Sequence, residues 1–308
     1  MTFRTNSIPA TYVRGGTSRA IIFRRADLPD DETLWKPLFQ SVIGSPDPDA
    51  NQLDGMGGGI TSLSKIAVVS PSSRPDADVD YFFFQVDPLT GDLLTDANCG
   101  NISSAIGPFA CEQGWIDICS GVRTVNIYNV NTDKIIVSEF DPEAEEHELV
   151  AISGVPGKHF PVRLSFLDPA GSMSHGLFPT KASLLMKLCH TENEARFVKT
   201  NVPDVIVIAP PEDGLNGVIA RYVSCDRPHR AAPVTSSMAL AAAVCIDGTV
   251  ASEIGTLERK GDVLIHHPSG TLAVQAEVNP DGDVLRTSVI RTMRTIMRGE
   301  LLLAMATK

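Results

Sequence analysis

The sequence predicts an α/β protein with two similar domains, each a sheet wrapped around one buried helix. The chain has 308 residues, and about 150 residues is a usual size for one domain, so two domains are expected. Each half contains β-rich runs, then a polar turn and a helix of small apolar residues closed by a glycine, Gly114 in the first half and Gly248 in the second. A helix that is apolar on every side is usually buried. Each helix is therefore expected inside a sheet.

The strands of the first half are predicted from short runs of β-branched and aromatic residues that lie between turn-forming residues. These runs cover residues 11–14, 19–24, 65–69, 79–86, 122–129 and 134–140. Between the second and third runs, residues 31–43 predict a short amphipathic helix that buries Leu34, Leu38, Val42 and Ile43.

The second half repeats this pattern with runs over residues 162–167, 205–208, 217–223, 263–267, 271–278 and 285–290. Its buried helix is predicted over Ala239–Ile246, while residues 291–303 fit either a strand or a helix. The Gly154–Gly157 segment is the best domain boundary. It predicts domains over residues 1–155 and 156–285, with residues 286–308 as candidates to complete the first.

Composition excludes several classes of partner. The formal net charge is −11, and an acidic surface repels nucleic acid and anionic lipid. No run is long and apolar enough to predict a signal peptide or a membrane-spanning helix. The six cysteines, at positions 99, 111, 119, 189, 225 and 245, form no CxxC pair. Free thiols in a reducing compartment are the simplest interpretation, so a cytoplasmic protein without nucleic-acid or membrane partners is expected.

The segment Asn98-Cys99-Gly100-Asn101, at the predicted start of the first buried helix, is the sharpest chemical feature. A thiol at a helix N-terminus loses its proton more readily than a free thiol, so Cys99 can act as a base. The glycine lets a carboxylate approach backbone N–H groups. The alternative is an inert buried cysteine beside a tight turn.

The corresponding segment of the second half is Thr235-Ser236-Ser237. Two helix N-termini that face each other would form an anion site, and Arg221 and His229 add positive groups just before the second one. Each of these residues is weak evidence alone, because most single arginines and histidines are structural.

A candidate base, Lys65, follows Ser64 at the mouth of an apolar strand, just after the glycines at positions 57–59. A lysine that loses hydration there becomes a better base, although a surface lysine at a strand edge is the more common case. Ser18 and Arg19 follow a diglycine turn that Arg14 precedes. Arginine pairs with carboxylates through two hydrogen bonds, so the two guanidinium groups could clamp a substrate, or could simply be solvated.

These motifs together resemble the PrpF family of methylaconitate cis–trans isomerases and related tautomerases. The matching stretches are Arg14–Arg19, Gln52–Val69, Val79–Gln85, Asn98–Gly114, Gly154–Gly157, Asp168–Ser172, Arg221–Thr235, Gly248–Val250, His267–Leu272 and Ser288–Gly299. The resemblance implies a diaminopimelate-epimerase-like fold, in which two mostly antiparallel sheets each curl around a central helix and the active site lies between them. It also implies that Lys65 and Cys99 transfer protons and that Asn101, Ser18 and Arg19 contact the substrate.

The chain departs from the epimerases of this fold just before the second buried helix, where a symmetrical mechanism with two thiols would need a cysteine. Where they carry a second cysteine, this chain has Pro233-Val234-Thr235-Ser236. It is also shorter than typical PrpF members between about Thr180 and Asn216.

We therefore expect a cofactor-free isomerase that moves a proton on a small unsaturated polycarboxylic acid such as an aconitate-like compound, with no bound metal. The reaction is a cis–trans or an allylic double-bond isomerisation. An epimerase or racemase, and a non-catalytic ligand-binding relative, remain the alternatives, and a homodimer is left open.

Overall fold

The computed structural model describes residues 7–117, 121–169, 205–211, 215–224, 227–228, 231–257 and 261–303. The strands up to the predicted domain boundary are β1 (Ser7–Gly15), β2 (Ser18–Arg24), β3 (Lys65–Pro71), β4 (Val79–Val86), β5 (Leu93–Leu94), β6 (Arg123–Asn129) and β7 (Lys134–Phe140). Those beyond it are β8 (Pro161–Leu167), β9 (Val205–Ala209), β10 (Val218–Ser224), β11 (Arg227–Pro228), β12 (Asp262–His267), β13 (Gly270–Val278) and β14 (Val284–Leu302). The α-helices are α1 (Trp35–Ile43), α2 (Gly100–Glu112), α3 (Val234–Val244) and α4 (Val250–Ile254).

A closed ring of strands surrounds α2. The strands pair in the order β1-β2-β3-β4-β6-β7-β8-β14, and β14 pairs again with β1. Most of these pairs are antiparallel, although β2–β3 and β4–β6 are parallel. Every residue of α2 from Gly100 to Cys111 is buried. The prediction that a sheet wraps around this apolar helix is therefore confirmed.

The second part of the sheet continues from β14 through β13 and β12 to β10, which also pairs with β9 and β11. Helix α3 packs against β12, β13 and β14. Strand β14 belongs to both parts, because its first residues pair with β8 and β13 and its last residues pair with β1. Residues 291–302 are thus strand and not helix. The division of the chain into two domains stays a prediction.

Strand alternation sorts the side chains of the ring into an inner and an outer set. Ala20, Ala67 and Phe83 point inward and join the core around α2, which continues without a break to α3. Their neighbours, such as Ile21 and Ile66, point outward into a second core that α1 covers. This sorting decides which polar side chains of the strands can reach the helix starts.

Two details of the helices differ from the prediction. The outer helix buries Trp35 and Phe39 in addition to Val42 and Ile43, whereas Leu34 is 51% exposed because it ends the preceding 3₁₀ turn. Helix α3 begins at Val234, five residues before the predicted Ala239. Pro233 is the N-cap residue, and Thr235, Ser236 and Ser237 lie in the first turn. Polar residues are common there because the first backbone N–H groups of a helix have no partner within the helix. No helix in the part of the chain that the structure describes is both long and apolar enough to cross a membrane.

The starts of α2 and α3 face each other, as the similar halves of the sequence predict. A Cβ atom on Gly100 would lie 2.7 Å from Cγ1 of Val234 and 3.4 Å from the ring of Phe166. The missing side chain of Gly100 therefore lets the first turns of the two helices approach closely.

We predict that Gly100→Ala destabilises the protein by about 1–3 kcal/mol, because the added methyl overpacks this contact. Val234→Ala creates the space that the methyl needs, so the double variant should show a favourable coupling energy of about 0.5–3 kcal/mol in urea unfolding. Gly299→Ala is the matched control, since a Cβ there meets nothing within 4 Å. A Gly100→Ala protein as stable as the Gly299→Ala control would contradict the contact.

Candidate functional site

The amine of Lys65 lies on the inner face of the ring, on the same side as α2. Lys65 is the first residue of β3 and shares its face with Ala67 and Val69, which pack in the core around α2. Its Nζ donates a hydrogen bond to Oε1 of Gln85 and lies 5.1 Å from the centroid of the Phe83 ring. The side chain is half-buried. It is therefore held by a strand neighbour and is not a freely solvated lysine.

Gln85 is the residue that orients Lys65, and reasoning from the sequence missed it. Its buried Nε2 lies within hydrogen-bonding distance of three carbonyl oxygens, those of Thr61 (3.0 Å), Ser64 (3.0 Å) and Val86 (3.2 Å). Because the amide nitrogen is directed at these acceptors, Oε1 is presented to the lysine. The sequence does contain a signal for it. Gln85 is a polar residue in an apolar strand, at the alternate positions that Tyr81 and Phe83 occupy on the inner face.

Cys99 is the N-cap residue of α2 and packs partly buried against the same core. The buried phenol of Tyr81, on the inner face of β4, lies beside Cys99 and Ser103, and burial raises its pKa well above the usual value. Tyr81 and Phe83 are successive inward-facing residues of β4, and alternate residues of a strand are about 7 Å apart. Lys65 and Cys99 thus both lie next to inward-facing aromatic side chains of β4, Lys65 next to Phe83 and Cys99 next to Tyr81.

The other free cysteines of the described chain have a different setting. Cys111 lies in the last turn of α2, and Cys245 is the C-cap residue of α3. Burial raises the pKa of both of these thiols. A helix start favours the thiolate and a helix end does not, so Cys99 has the position that suits a base. Cys119, Cys189 and Cys225 lie outside the described residues.

Asn101 joins the start of α2 to the turn between β1 and β2. Its Oδ1 accepts a hydrogen bond from the backbone N–H of Thr17 (3.4 Å), and its Nδ2 donates to Oγ1 of Thr17 (3.2 Å). Gly16 has a φ of +49°, and a Cβ atom there would lie 2.0 Å from Oδ1 of Asn101. Ser18, the first residue of β2, is buried on the inner face of this same turn.

Two predicted contact residues have hydroxyl or amide groups that already bond to protein. Oγ of Ser64 lies 2.7 Å from Oε1 of Gln52 and 2.9 Å from the carbonyl oxygen of Ile60. Oδ1 of Asn98 accepts a hydrogen bond from Ser103 (3.3 Å). Ser64 therefore holds the glycine-rich loop in front of Lys65, and Asn98 supports the first turn of α2.

The predicted pair of arginines does not form one clamp. Nη1 of Arg14 donates to the carbonyl oxygens of Gly16 (2.9 Å) and Thr292 (3.1 Å). Arg19 points to the outer face of β2, where its guanidinium carbon lies 5.6 Å from the centroid of the Tyr12 ring. One guanidinium thus fastens a turn, and the other lies on the opposite side of the sheet from Lys65.

The predicted residues of the second half are divided between several places. Arg221 is exposed on the outer face of β10 and donates to the carbonyl oxygen of its neighbour Ala220 (2.9 Å), so the structure does not bring it to the helix starts. Thr235 is exposed and Ser236 is half-buried, both in the first turn of α3. His229 lies outside the described residues.

The site therefore combines an amine, a thiol and the N–H groups at two helix starts. Within the described ranges, no three His, Cys, Asp or Glu side chains come close enough together to hold a metal ion. Two open concavities, of about 400 and about 500 Å³, lie over β12, β13 and β14, and Arg163 and Ser288 are among the residues that line both. Neither lining includes Lys65 or Cys99, whereas Arg291 is one of the residues that line the smaller concavity.

Comparison with known proteins decides the family. The model of the PrpF protein family matches residues 5–218 and 186–304. This chain belongs to the PrpF family. It is 32% identical to the (4E)-oxalomesaconate Delta-isomerase of Novosphingobium sp. (strain KA1), over 96% of this chain and 97% of the relative. It is 30% identical to the 2-methyl-aconitate isomerase of Cupriavidus necator, over 95% of this chain and 96% of the relative.

Solved structures agree with this assignment. The crystal structure of methylitaconate-delta-isomerase matches with a TM-score of 0.76 and 26% identity, over 97% of this chain and 96% of that chain. A hydroxyproline epimerase from Agrobacterium vitis matches with a TM-score of 0.57 and 13% identity, over 98% of this chain and 94% of that chain, which shows the fold alone. The predicted epimerase-like fold and the prediction that this PrpF-family protein is an isomerase are both confirmed.

We predict that Gln85→Leu lowers kcat by about 10- to 100-fold, because the Lys65 amine loses the acceptor that orients it. The stability loss should be only about 1–3 kcal/mol, from the carbonyl oxygens that lose their donor. Gln40→Leu is the matched control, since Nε2 of Gln40, on the outer helix α1, donates to the carbonyl oxygen of Gly91. Steady-state kinetics and urea unfolding of both variants provide the measurement, and equal kcat values for the two would show that Gln85 is only structural.

Proposed function

We propose that the protein isomerises a small unsaturated polycarboxylic acid by proton transfer, with Lys65 and Cys99 as the residues that move the proton and with no cofactor. The observation that carries the proposal is the placement of the Lys65 amine, which Gln85 orients on the inner face of the ring that α2 and Cys99 occupy. The names of the relatives support the substrate class, since oxalomesaconate, methylaconitate and methylitaconate are all unsaturated acids with several carboxylates.

The chemistry begins with a C–H bond next to a carboxylate and a double bond. The neutral amine of Lys65 or the thiolate of Cys99 takes this proton, and the electron pair of the C–H bond becomes part of a dienolate. Backbone N–H groups at the two helix starts stabilise the negative oxygen, as donors in an oxyanion hole do. Return of a proton at the far carbon gives an allylic shift. Return at the original carbon after bond rotation gives the cis–trans isomer.

An epimerase of this fold is less well supported. A two-base inversion of a carbon centre needs a second proton-transfer group at the opposite side of the substrate. The first turn of α3, which faces the start of α2, contains Val234, Thr235, Ser236 and Ser237. None of these side chains is a useful base near neutral pH, whereas an isomerase can move its proton on one face.

Incubation with a panel of unsaturated di- and tricarboxylates in D2O, followed by NMR, tests the reaction class. We expect one acid to exchange a carbon-bound hydrogen for deuterium as its double bond moves or rotates. The rate should be unchanged after exhaustive chelation and dialysis. Ligand binding without exchange would support the non-catalytic alternative, inversion of a saturated carbon would support the epimerase, and activity that one divalent ion restores would overturn cofactor independence.

Substitution of Lys65 tests the proposed base. We predict that Lys65→Ala lowers kcat by about 100-fold or more, the usual contribution of a positioned acid or base. Lys65→Arg should not restore turnover, because a guanidinium stays protonated, and Cys99→Ser should also be slow, because a hydroxyl is a poorer base than a thiolate.

Lys134→Ala is the control for this series, since Lys134 is also the first residue of a strand and pairs with Asp168 at the surface. Thermal melts should show that all of these variants are folded. Near wild-type kcat in folded Lys65→Ala would show that Lys65 is an ordinary structural lysine.

A further inference from the structure

Arg291 is a buried guanidinium for which the described protein provides no counter-ion. The residue is 5% exposed and lies on β14 opposite Val162 of β8. Its neighbours on the inner face of the strand are Val289 and Met293, which belong to the apolar core. The Nε atom of Arg291 has no hydrogen-bond partner, and no acidic side chain among the described residues forms an ion pair with it.

This arrangement is costly for the protein alone. A buried charge is usually paired, and one left without its partner destabilises the fold. Burial lowers the pKa of Arg291 to about 10, and a smaller opposite effect comes from Tyr222. The guanidinium is therefore still positive at neutral pH. Two other arginines of β14 differ, because Arg286 and Arg298 pair with Glu277 and Glu112 at the surface.

Backbone contacts next to Arg291 connect β14 to the start of α2. The carbonyl oxygen of the next residue, Thr292, accepts hydrogen bonds from the backbone N–H of Gly16 (2.8 Å) and from Nη1 of Arg14 (3.1 Å). Gly16 in turn contacts the side chain of Asn101, in the first turn of α2. The part of β14 next to Arg291 thus contacts the turn between β1 and β2, which holds this helix start.

Helix α3 packs against the same strand. The charge of Tyr222, on β10, partly opposes the effect of burial on the pKa of Arg291. The hydroxyl of Tyr222 accepts a hydrogen bond from Oγ of Ser237 (2.8 Å), in the first turn of α3. Because α2 and α3 both pack against β14, the buried cation on the inner face of this strand lies between the two helices, whose starts approach each other at Gly100 and Val234.

We propose that Arg291 binds one carboxylate of the substrate between the starts of α2 and α3. The inference rests on the proposed function, since it assigns a partner to one of the several carboxylates of the acid. A guanidinium pairs with a carboxylate through two parallel hydrogen bonds, and the positive ends of two helix dipoles strengthen the attraction. The anion that the described residues lack is then supplied by the substrate.

The test measures binding of tricarballylate, a saturated tricarboxylate that has no double bond to move. Titration calorimetry should show that Arg291→Gln weakens this binding by roughly 30-fold or more, the usual loss when one partner of a buried charged pair is truncated. Arg291→Lys should bind with intermediate affinity, because an ammonium keeps the charge and loses the bidentate geometry. Arg286→Gln, an exposed position on the same strand, should bind as the wild type does.

Thermal melts separate this role from a purely structural one. Without ligand, Arg291→Gln should melt at or above the wild-type temperature, because an unpaired buried charge is removed, and the rise in melting temperature that tricarballylate causes should be lost. Kinetics on the acid identified by NMR should show a larger change in KM than in kcat. If Arg291→Gln does not fold, the affinity of Arg291→Lys decides, and wild-type affinity there overturns the proposal.

Wild-type protein that does not bind tricarballylate, or Arg291→Gln that binds it unchanged, also overturns the proposal. These outcomes are distinct from failure of the proposed function. If Arg291→Gln loses tricarballylate binding but the wild type turns over none of the acids, the isomerase mechanism is refuted and the carboxylate site is retained. Turnover by the wild type with unaltered binding by Arg291→Gln would refute the site alone.

Discussion

The approach of α2 to α3 at Gly100 and Val234 is the contact on which the arrangement of the site depends. Each helix is too apolar to be stable at a surface, so each needs strands around it. The strands can enclose both helices in one continuous core because β14 passes from one to the other. Where the helices meet, their N–H groups and positive dipole ends converge. A side chain on Gly100 would separate them.

Two amide side chains hold the start of α2 and the Lys65 amine in place, and each has distinct structural partners. Asn101 fastens the turn between β1 and β2 to the start of α2, while Gln85 connects Lys65 to the loop that precedes it. These amide side chains are bonded on both of their polar atoms. They can therefore set the positions of the amine and the thiol rigidly, as precise proton transfer requires. The same residues stabilise the fold and orient the reactive groups.

The distribution of positive charge is informative about the substrate class. The chain as a whole is acidic, with a formal net charge of −11, yet its inner face contains the Lys65 amine and the buried Arg291 guanidinium. A net charge acts at long range and is screened by salt, whereas a desolvated cation next to a helix start acts strongly at short range. An acidic protein can thus still bind an anion with several carboxylates.

Local sequence patterns determined most of the secondary structure and the family. Strand runs, the two apolar helices and the Cys99 segment are all readable from spacing, because alternation and helical periodicity are properties of neighbouring residues. The same local rules place Lys65 on the face that points to α2. They could not decide whether residues 291–302 are strand, since that segment is fixed by its pairing with β1, far away in the sequence.

Only the tertiary structure decided which polar residues work together. Arg14 and Arg19 are close in the sequence but lie in different settings, because one bonds to Thr292 and the other packs on Tyr12. Gln85 differs from its neighbours in the sequence only as a polar residue in an apolar strand, and nothing in the sequence distinguishes Arg291. The importance of both comes from what surrounds them after folding. Hydrogen bonds, burial and missing counter-ions involve residues distant in the chain. Such properties follow from packing and are not encoded in any local pattern.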